Sequence, residues 1–167
     1  MKLRFAPPPE PFHVVLVNPE IPQNTGNIAR MCAATGAVLH LVGELGFETD
    51  EKAVRRAGLD YWHLVRVVRH ADFDACLAAL GAPAPMLFAT SARTSYLDAP
   101  YAPGGALVFG RESVGLPDAL LDRFPQRQYG IPMRAGSVRS LNLANAVAIV
   151  LYRGLEAVGA FRAPFME

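Results

Sequence analysis

The sequence has little of several residue types, and each shortage excludes a class of protein. It has only two cysteines, Cys32 and Cys76, at no spacing typical of a disulfide framework. It contains no uncharged apolar run of about 18 residues, so it predicts no transmembrane helix. Its first residues, MKLRFAPPPEPFHVV, lack the apolar stretch of a signal peptide and are rich in proline instead. We therefore expect a cytoplasmic protein that has no membrane partner.

The motifs of several common ligand sites are also missing. No G-x-G-x-x-G follows the first predicted strand and no G-x-x-x-x-G-K-[ST] occurs, which argues against ordinary dinucleotide and P-loop sites. The histidines, His13, His40, His63 and His70, lie in different predicted elements without ligand spacing, and we expect no metal. Neither cysteine has the sequence context of a catalytic nucleophile.

Positively and negatively charged residues are nearly equal in number. The chain has 16 lysines and arginines against 15 acidic residues, a net charge of +1, so no overall basic field indicates a nucleic-acid partner. Fourteen of those cations are arginines, whose planar guanidinium suits phosphate and carboxylate groups. A GC-rich genome would produce the same excess, so each arginine has to be considered individually.

What the sequence does contain is an alternation of β-rich and helical segments. The run HVVLVNP predicts a strand, and NTGNIARMCAATG predicts a helix that closes at Gly36. The chain ends with a long predicted helix from about Leu141 to Val158. This order, without repeats, is typical of an α/β domain with a mainly parallel sheet. We expect a disordered Pro-rich arm over residues 1–11 and a single domain over residues 12–167.

Four predicted loops share a polar composition that includes glycine. They follow Val17, Phe88, Phe109 and Ile131, and they read NPEIPQNTGN, ATSARTS, GRESVGLP and PMRAGSVRSLN. In open parallel sheets, ligands bind at the carboxyl ends of the strands. The amides, hydroxyls, backbone groups and arginines of these loops suit a polar organic cofactor and a phosphate-bearing substrate. We therefore expect the four loops to form one site.

Individual residues in these loops have simpler explanations as well. Asn24 and Asn27 could cap the helix that they begin, and Arg30 could be a solvated residue of that helix. Glu112, the one carboxylate flanked by glycines, could be a solvated loop charge or the partner of a helix cap. The convergence of four such loops at one sheet edge favours a ligand site over these separate explanations.

The entrance to the last helix is more polar than a helix start requires. One N-cap is enough for a helix, and Ser140 alone could supply it. Arg139, Asn142 and Asn145 then need another reason, and a binding site at this point would provide one.

Three segments resemble the signature motifs of one enzyme family. NPEIPQNTGNIARMCAATG, FGRESVGLP and IPMRAGSVRSLNLANAVAIVLYRGLEA are similar to those of SPOUT-class (SpoU) RNA 2′-O-ribose methyltransferases. With RRAGLDYW, they most resemble the minimal one-domain TrmL branch, which methylates the ribose of tRNA position 34. The resemblance spans residues 12–159. It implies a sheet with helices on both faces, a C-terminal deep trefoil knot, and a homodimer that pairs through the first and last helices.

The resemblance also implies S-adenosylmethionine as the cofactor and a tRNA anticodon stem-loop as the partner. The positions that match the cofactor site are Thr90, Gly110, Ile131, Met133, Ser140 and Leu141. The positions that match the catalytic machinery are Arg30, Asn24, Glu112, Ser140 and Asn142, of which Arg30 would act near the ribose hydroxyl or the adjacent phosphate. The candidate RNA contacts are Arg30, Arg55, Arg56, Arg134, Arg139 and Tyr152. Helix solvation is the alternative for Arg55 and Arg56, and dimer or core packing is the alternative for Tyr152.

Two other functions stay open. The first is the same chemistry on ribosomal RNA, although such enzymes more often carry an added RNA-binding domain, whereas a lone domain favours a compact anticodon stem-loop. The second is a non-catalytic, knotted RNA-binding protein. Such a protein would have little chemical reason to keep all the residues that match the catalytic machinery.

Overall fold

A computed structural model of the chain, which describes residues 1–48 and 61–167, has a central sheet of seven strands. They are β2 (His13–Val17), β3 (Val38–Val42), β4 (Val67–His70), β5 (Met86–Phe88), β6 (Thr94–Ser95), β7 (Ala106–Phe109) and β8 (Gln128–Gly130). Their order is β4-β3-β2-β7-β5-β8-β6, and every neighbouring pair is parallel. The predicted mainly parallel α/β fold is thereby confirmed. Strand order does not reveal how the chain threads its loops, so the trefoil knot stays a prediction.

Helices cover both faces of the sheet. They are α1 (Pro22–Thr35), α2 (Phe73–Ala79), α3 (Asp118–Arg123) and α4 (Leu143–Ala157), with short 3₁₀ helices at Trp62–Leu64 and Tyr96–Asp98. α1 and α4 pack on one face, where Ile28 and Leu151 are fully buried, and α2 and α3 cover the other face through residues such as Cys76 and Leu120. Within the described ranges, no helix has the length and apolar character that crossing a bilayer would require.

The central strands read as continuous apolar runs because helices cover them from both sides. Val14, Val15 and Leu16 of β2 are completely buried, and all five residues of β3 are buried as well. His40 differs from the apolar residues around it: it is a polar residue in the middle of β3, yet it is only 3% exposed.

Of the two ends of α1, only the C-terminal end is capped as predicted. Gly36 closes the helix in the left-handed conformation (φ 78°) and donates its N–H to the carbonyl of Cys32, as expected for a glycine at this position. The N-cap, however, is Ile21, which offers no side-chain bond. Asn24 and Asn27 lie inside the helix, so the interpretation of these asparagines as caps is wrong.

The N-terminal arm is partly ordered, contrary to the expectation of disorder. Leu3–Arg4 forms strand β1, which pairs antiparallel with β9 (Phe165–Met166) at the other end of the chain. The ring of Phe5 packs edge-on against that of Phe161, with centroids 4.9 Å apart. A local composition pattern could not indicate these partners, because they lie about 160 residues away. The division into an arm and a single domain stays a prediction.

Candidate active site

The four polar loops meet at one edge of the sheet, as predicted. The strands that precede them, β2, β7, β5 and β8, are consecutive neighbours and run in the same direction. Residues from all four loops line a cleft of about 630 Å³, which lies within the range typical of small-molecule sites. The cleft is therefore a product of parallel topology, since that topology brings the carboxyl ends of these strands together.

Glu112 fastens two of these loops together. Its carboxylate accepts hydrogen bonds from the backbone N–H of Glu20 (2.8 Å) and of Ile21 (3.1 Å) and from Nδ2 of Asn24 (3.2 Å). In return, the Glu20 carboxylate accepts from the backbone N–H (3.1 Å) and the hydroxyl (2.9 Å) of Ser113. The interpretation of Glu112 as a solvated charge is therefore wrong. Its oxygens hold the loop after β7 against the loop after β2.

Asn142 connects the third loop to the same network. Its Oδ1 accepts from the backbone N–H groups of Ala144 (2.9 Å) and Asn145 (3.3 Å), so Asn142 is the N-cap of α4. Its Nδ2 donates to Oδ1 of Asn24, 3.0 Å away. The interpretation of Ser140 as the cap is wrong, and α4 begins at Leu143 rather than near Leu141. The polar helix entrance serves both as a cap and as one wall of the cleft.

Replacing Glu112 with alanine is expected to lower the free energy of unfolding by about 2 kcal/mol, because hydrogen bonds to a charged acceptor are strong and three donors would lose their partner. Urea unfolding measures this change. Ser113→Ala is the matched control in the neighbouring position: it removes one exposed hydrogen bond to Glu20, and we expect a loss below about 1 kcal/mol. Equal losses in the two variants would contradict the fastening role of Glu112.

Asn142→Ala is expected to cost about 1–2 kcal/mol of stability, because it removes the cap of α4. Ser140→Ala should leave thermal and urea unfolding unchanged. Asn142→Asp separates the two roles of this side chain, since it keeps the capping oxygen but loses the donor to Asn24. If Ser140→Ala lowered the stability as much as Asn142→Ala, Ser140 rather than Asn142 would be the N-cap of α4.

The residues predicted to hold the cofactor all line the cleft. They are Thr90, Gly110, Ile131, Met133, Ser140 and Leu141. The floor contains aromatic residues that the sequence analysis did not select: Phe88 and Phe109 stack with their ring centroids 5.1 Å apart, and Tyr129 lies 6.0 Å from Phe88. Their position as late residues of β5, β7 and β8, directly before the polar loops, is the signal that could have identified them.

Gly110 has a steric role within the loop that follows β7. In the structure, a Cβ at Gly110 would lie 2.0 Å from the carbonyl carbon of Gly115 and 2.1 Å from the backbone nitrogen of Leu116. The loop that begins at Arg111 thus folds back onto its own strand end, and only glycine leaves room for it.

The predicted RNA-contacting residues that the structure describes do not form one cluster. Arg139 lines the cleft, and Arg134 lines an adjoining cavity of about 460 Å³ together with Arg93, which the sequence analysis did not select. Arg30 is exposed on α1 with its guanidinium 4.7 Å from the ring centroid of Tyr61, and it is not among the described residues that line either cavity. Arg55 and Arg56 lie outside the described residues.

Tyr152 lies away from the cleft. It is 45% exposed on α4, and its ring stacks on that of Phe161 with centroids 5.7 Å apart. This partial packing leaves both an RNA contact and a dimer contact open to it.

Comparison with known proteins gives a consistent result. Residues 11–152 match the model of the SpoU rRNA Methylase family. A tRNA (cytidine(34)-2'-O)-methyltransferase from Burkholderia pseudomallei is 48% identical over 89% of this chain and 96% of its own length. A solved structure concerning the 2-OH methylation of C/U34 on tRNA is 45% identical, with a TM-score of 0.79 and coverage of 90% of this chain and 99% of the other. An AdoMet-bound rRNA methyltransferase from Sinorhizobium meliloti is 27% identical with a TM-score of 0.74, over 92% of this chain and 61% of the other.

Proposed function

Because this chain belongs to the SpoU rRNA Methylase family, we propose that it methylates the ribose 2′-hydroxyl of position 34, a cytidine or uridine, in tRNA. The observation that carries the proposal is similarity over nearly the full length of tRNA (cytidine(34)-2'-O)-methyltransferases, at 48% identity for the Burkholderia protein. The similar rRNA methyltransferase is 27% identical, and this chain covers only 61% of it. Both differences favour tRNA over ribosomal RNA.

The cleft fits S-adenosylmethionine as the methyl donor. Its volume of about 630 Å³ accommodates such a ligand, and its aromatic floor suits an adenine ring. The backbone-rich loops at Thr90, Gly110 and Ile131 offer N–H and C=O groups for polar edges, and Ser140 adds a hydroxyl. When bound, S-adenosylmethionine supplies an electrophilic methyl group on a sulfonium.

The chain's own residues must orient the ribose hydroxyl and assist the loss of its proton. Glu112 is a positioning residue in this proposal, because its carboxylate already accepts three hydrogen bonds from the protein. Asn24 and Asn142 likewise hold each other and the loops. Ser140 is exposed in the cleft, and we assign its hydroxyl to contact with the ribose.

Arg30 acts on the RNA outside the cofactor cleft. It follows Asn24, which lines the cleft, by six residues, or about 9 Å along the helix axis. Arginine is a poor base because its guanidinium stays protonated in proteins. We assign it to the phosphate next to the reacting ribose, which it would orient and whose charge it would balance, while Arg139 and Arg134 contact the RNA near the cavities.

We also infer a homodimer that pairs through α1 and α4. Ile149 and Tyr152 support it, since both are large apolar side chains on α4 and are 36% and 45% exposed. We also infer a cytoplasmic location from the proposed tRNA substrate, because anticodon loops are modified and read in the cytoplasm.

The test is transfer of labelled methyl from S-adenosylmethionine to bulk tRNA, followed by nucleoside analysis and mapping. We expect 2′-O-methylcytidine or 2′-O-methyluridine at position 34. Label in ribosomal RNA with none in tRNA would keep the chemistry and overturn the substrate. No transfer to either RNA, together with no binding of S-adenosylmethionine by calorimetry, would favour the non-catalytic RNA-binding function.

A further inference from the structure

Three histidines lie side by side on the sheet face that α2 covers. They come from neighbouring strands: His13 opens β2, His40 is in the middle of β3, and His70 ends β4. Nδ1 of His13 lies 2.9 Å from Nε2 of His40, and Nδ1 of His40 lies 2.9 Å from Nε2 of His70. Along the sequence, these histidines lie in separate elements without ligand spacing. The parallel register nevertheless brings them together.

A cysteine completes this cluster. Cys76 of α2 is fully buried, and the ligand atoms of His40, His70 and Cys76 all lie within 4.8 Å of one another. A zinc ion with Zn–N bonds of about 2.0–2.1 Å and a Zn–S bond of about 2.3 Å needs N···N and N···S separations of about 3.3 and 3.6 Å in a tetrahedron. Small side-chain rotations would bring the three groups to that geometry.

The two ring nitrogens proposed as ligands already face each other, with Nδ1 of His40 2.9 Å from Nε2 of His70. One of the two carries the proton of this hydrogen bond, and binding of a cation requires that proton to move to the other nitrogen of its own ring. Arg66 opposes a cation here, but it is exposed and water screens its charge.

We propose that Nδ1 of His40, Nε2 of His70 and Sγ of Cys76 bind one Zn²⁺ or a similar borderline transition-metal cation. Two imidazoles and a thiol suit Zn²⁺ or Co²⁺, whereas Mg²⁺ and Ca²⁺ prefer oxygen ligands. On binding, the Cys76 thiol releases one proton to solvent and its thiolate bonds to the cation. Three protein ligands leave a fourth position for water on the side of the half-buried His70.

His13 has the position of a supporting partner. If the cation occupies Nδ1 of His40, the remaining proton of that ring sits on Nε2 and is donated to Nδ1 of His13, 2.9 Å away. Metal-bound histidines typically donate their second N–H in this manner, and loss of such a partner costs about 10- to 100-fold in metal affinity.

The cluster is separate from the proposed methyltransferase cleft. It belongs to the β4-β3-β2 half of the sheet and to α2, whereas the aromatic floor of the cleft belongs to β5, β7 and β8. A cation there would join β3, β4 and α2 and stabilise the folded chain, since it binds the folded state preferentially.

The experiment titrates the metal-free, reduced full-length protein with Co²⁺ and then displaces the Co²⁺ with Zn²⁺. We expect one ion per chain, a thiolate-to-cobalt charge-transfer band in the absorption spectrum, and a higher Tm with Zn²⁺. X-ray absorption of the zinc-loaded wild type should show three nitrogen or oxygen ligands, from two imidazoles and one water, and one sulfur ligand. This result does not depend on whether any variant folds.

Matched variants identify the ligands. Cys76→Ser should lose the charge-transfer band, whereas Cys32→Ser should keep it, because Cys32 is equally buried but lies in α1 on the opposite sheet face. His70→Gln should weaken binding at least 100-fold, His63→Gln should leave it unchanged, and His13→Gln should weaken it about 10- to 100-fold. A wild type that binds neither ion at micromolar concentration, or a Cys76→Ser variant with an unchanged band, overturns the proposal and leaves the cluster as a hydrogen-bonded histidine array.

Discussion

Arg30→Ala is expected to lower kcat/KM for tRNA methylation by about 10²–10⁴-fold while the affinity for S-adenosylmethionine stays nearly unchanged. The side chain is exposed, its guanidinium lies over the ring of Tyr61, and it is not among the described residues that line the cleft. Its removal therefore leaves the core and the cofactor loops intact. Single-turnover methylation of tRNA, with calorimetry for the cofactor, measures the two effects separately.

Arg123→Ala is the matched control for this change. Its guanidinium also lies over an aromatic ring, 5.4 Å from the centroid of Phe124, but on the helical layer that covers the other face of the sheet. It should therefore methylate tRNA at the wild-type rate. Arg30→Lys keeps the charge but loses the planar fork, and we expect an intermediate rate. Wild-type turnover by Arg30→Ala would remove this residue from the mechanism.

Gly110→Ala is expected to abolish measurable binding of S-adenosylmethionine and to lower the free energy of unfolding by about 2–4 kcal/mol. The added Cβ would lie 2.0–2.1 Å from backbone atoms of Gly115 and Leu116, so the loop must move away from its strand. That loop carries Glu112, and its displacement would break the network that joins Glu112, Asn24 and Asn142. Valine at this position would have a larger effect.

Gly130→Ala provides the comparison within the same group of loops. Its Cβ would lie 3.3 Å from the carbonyl oxygens of Ala89 and Ala92, a tight contact that small shifts can relieve. We expect this variant to fold and to bind S-adenosylmethionine with a modest loss of affinity. Titration calorimetry and urea unfolding compare the two variants. Cofactor affinity of the wild-type level in Gly110→Ala would mean that the loop after β7 does not shape the cofactor site.

Prediction from the sequence succeeded where the signal was local. Alternating apolar and polar segments predicted the parallel α/β fold, and the composition of four loops predicted that they converge. Gly36 ends α1 as expected, since a left-handed closing residue is a property of the glycine itself. The motif resemblance predicted the family, which the match over residues 11–152 confirmed.

Prediction failed where a residue's partner is distant. Ser140 and Asn142 are both good capping residues, and only the fold decides that Asn142 also reaches Asn24, 118 positions earlier in the chain. The same holds for the N-terminal arm, whose proline-rich composition suggested disorder although Leu3–Arg4 finds a pairing strand at Phe165–Met166.

The sequence by itself determined the elements, their order and the polar chemistry of the loops, because helix and strand periodicity and turn chemistry depend on neighbouring residues. Only the tertiary structure decided that Glu112 binds loop atoms about 90 positions away, and that His13, His40 and His70 lie in line. The physical reason is the register of the parallel sheet, which pairs distant strands residue by residue. Contacts between side chains on neighbouring strands follow from that register and not from their separation along the chain.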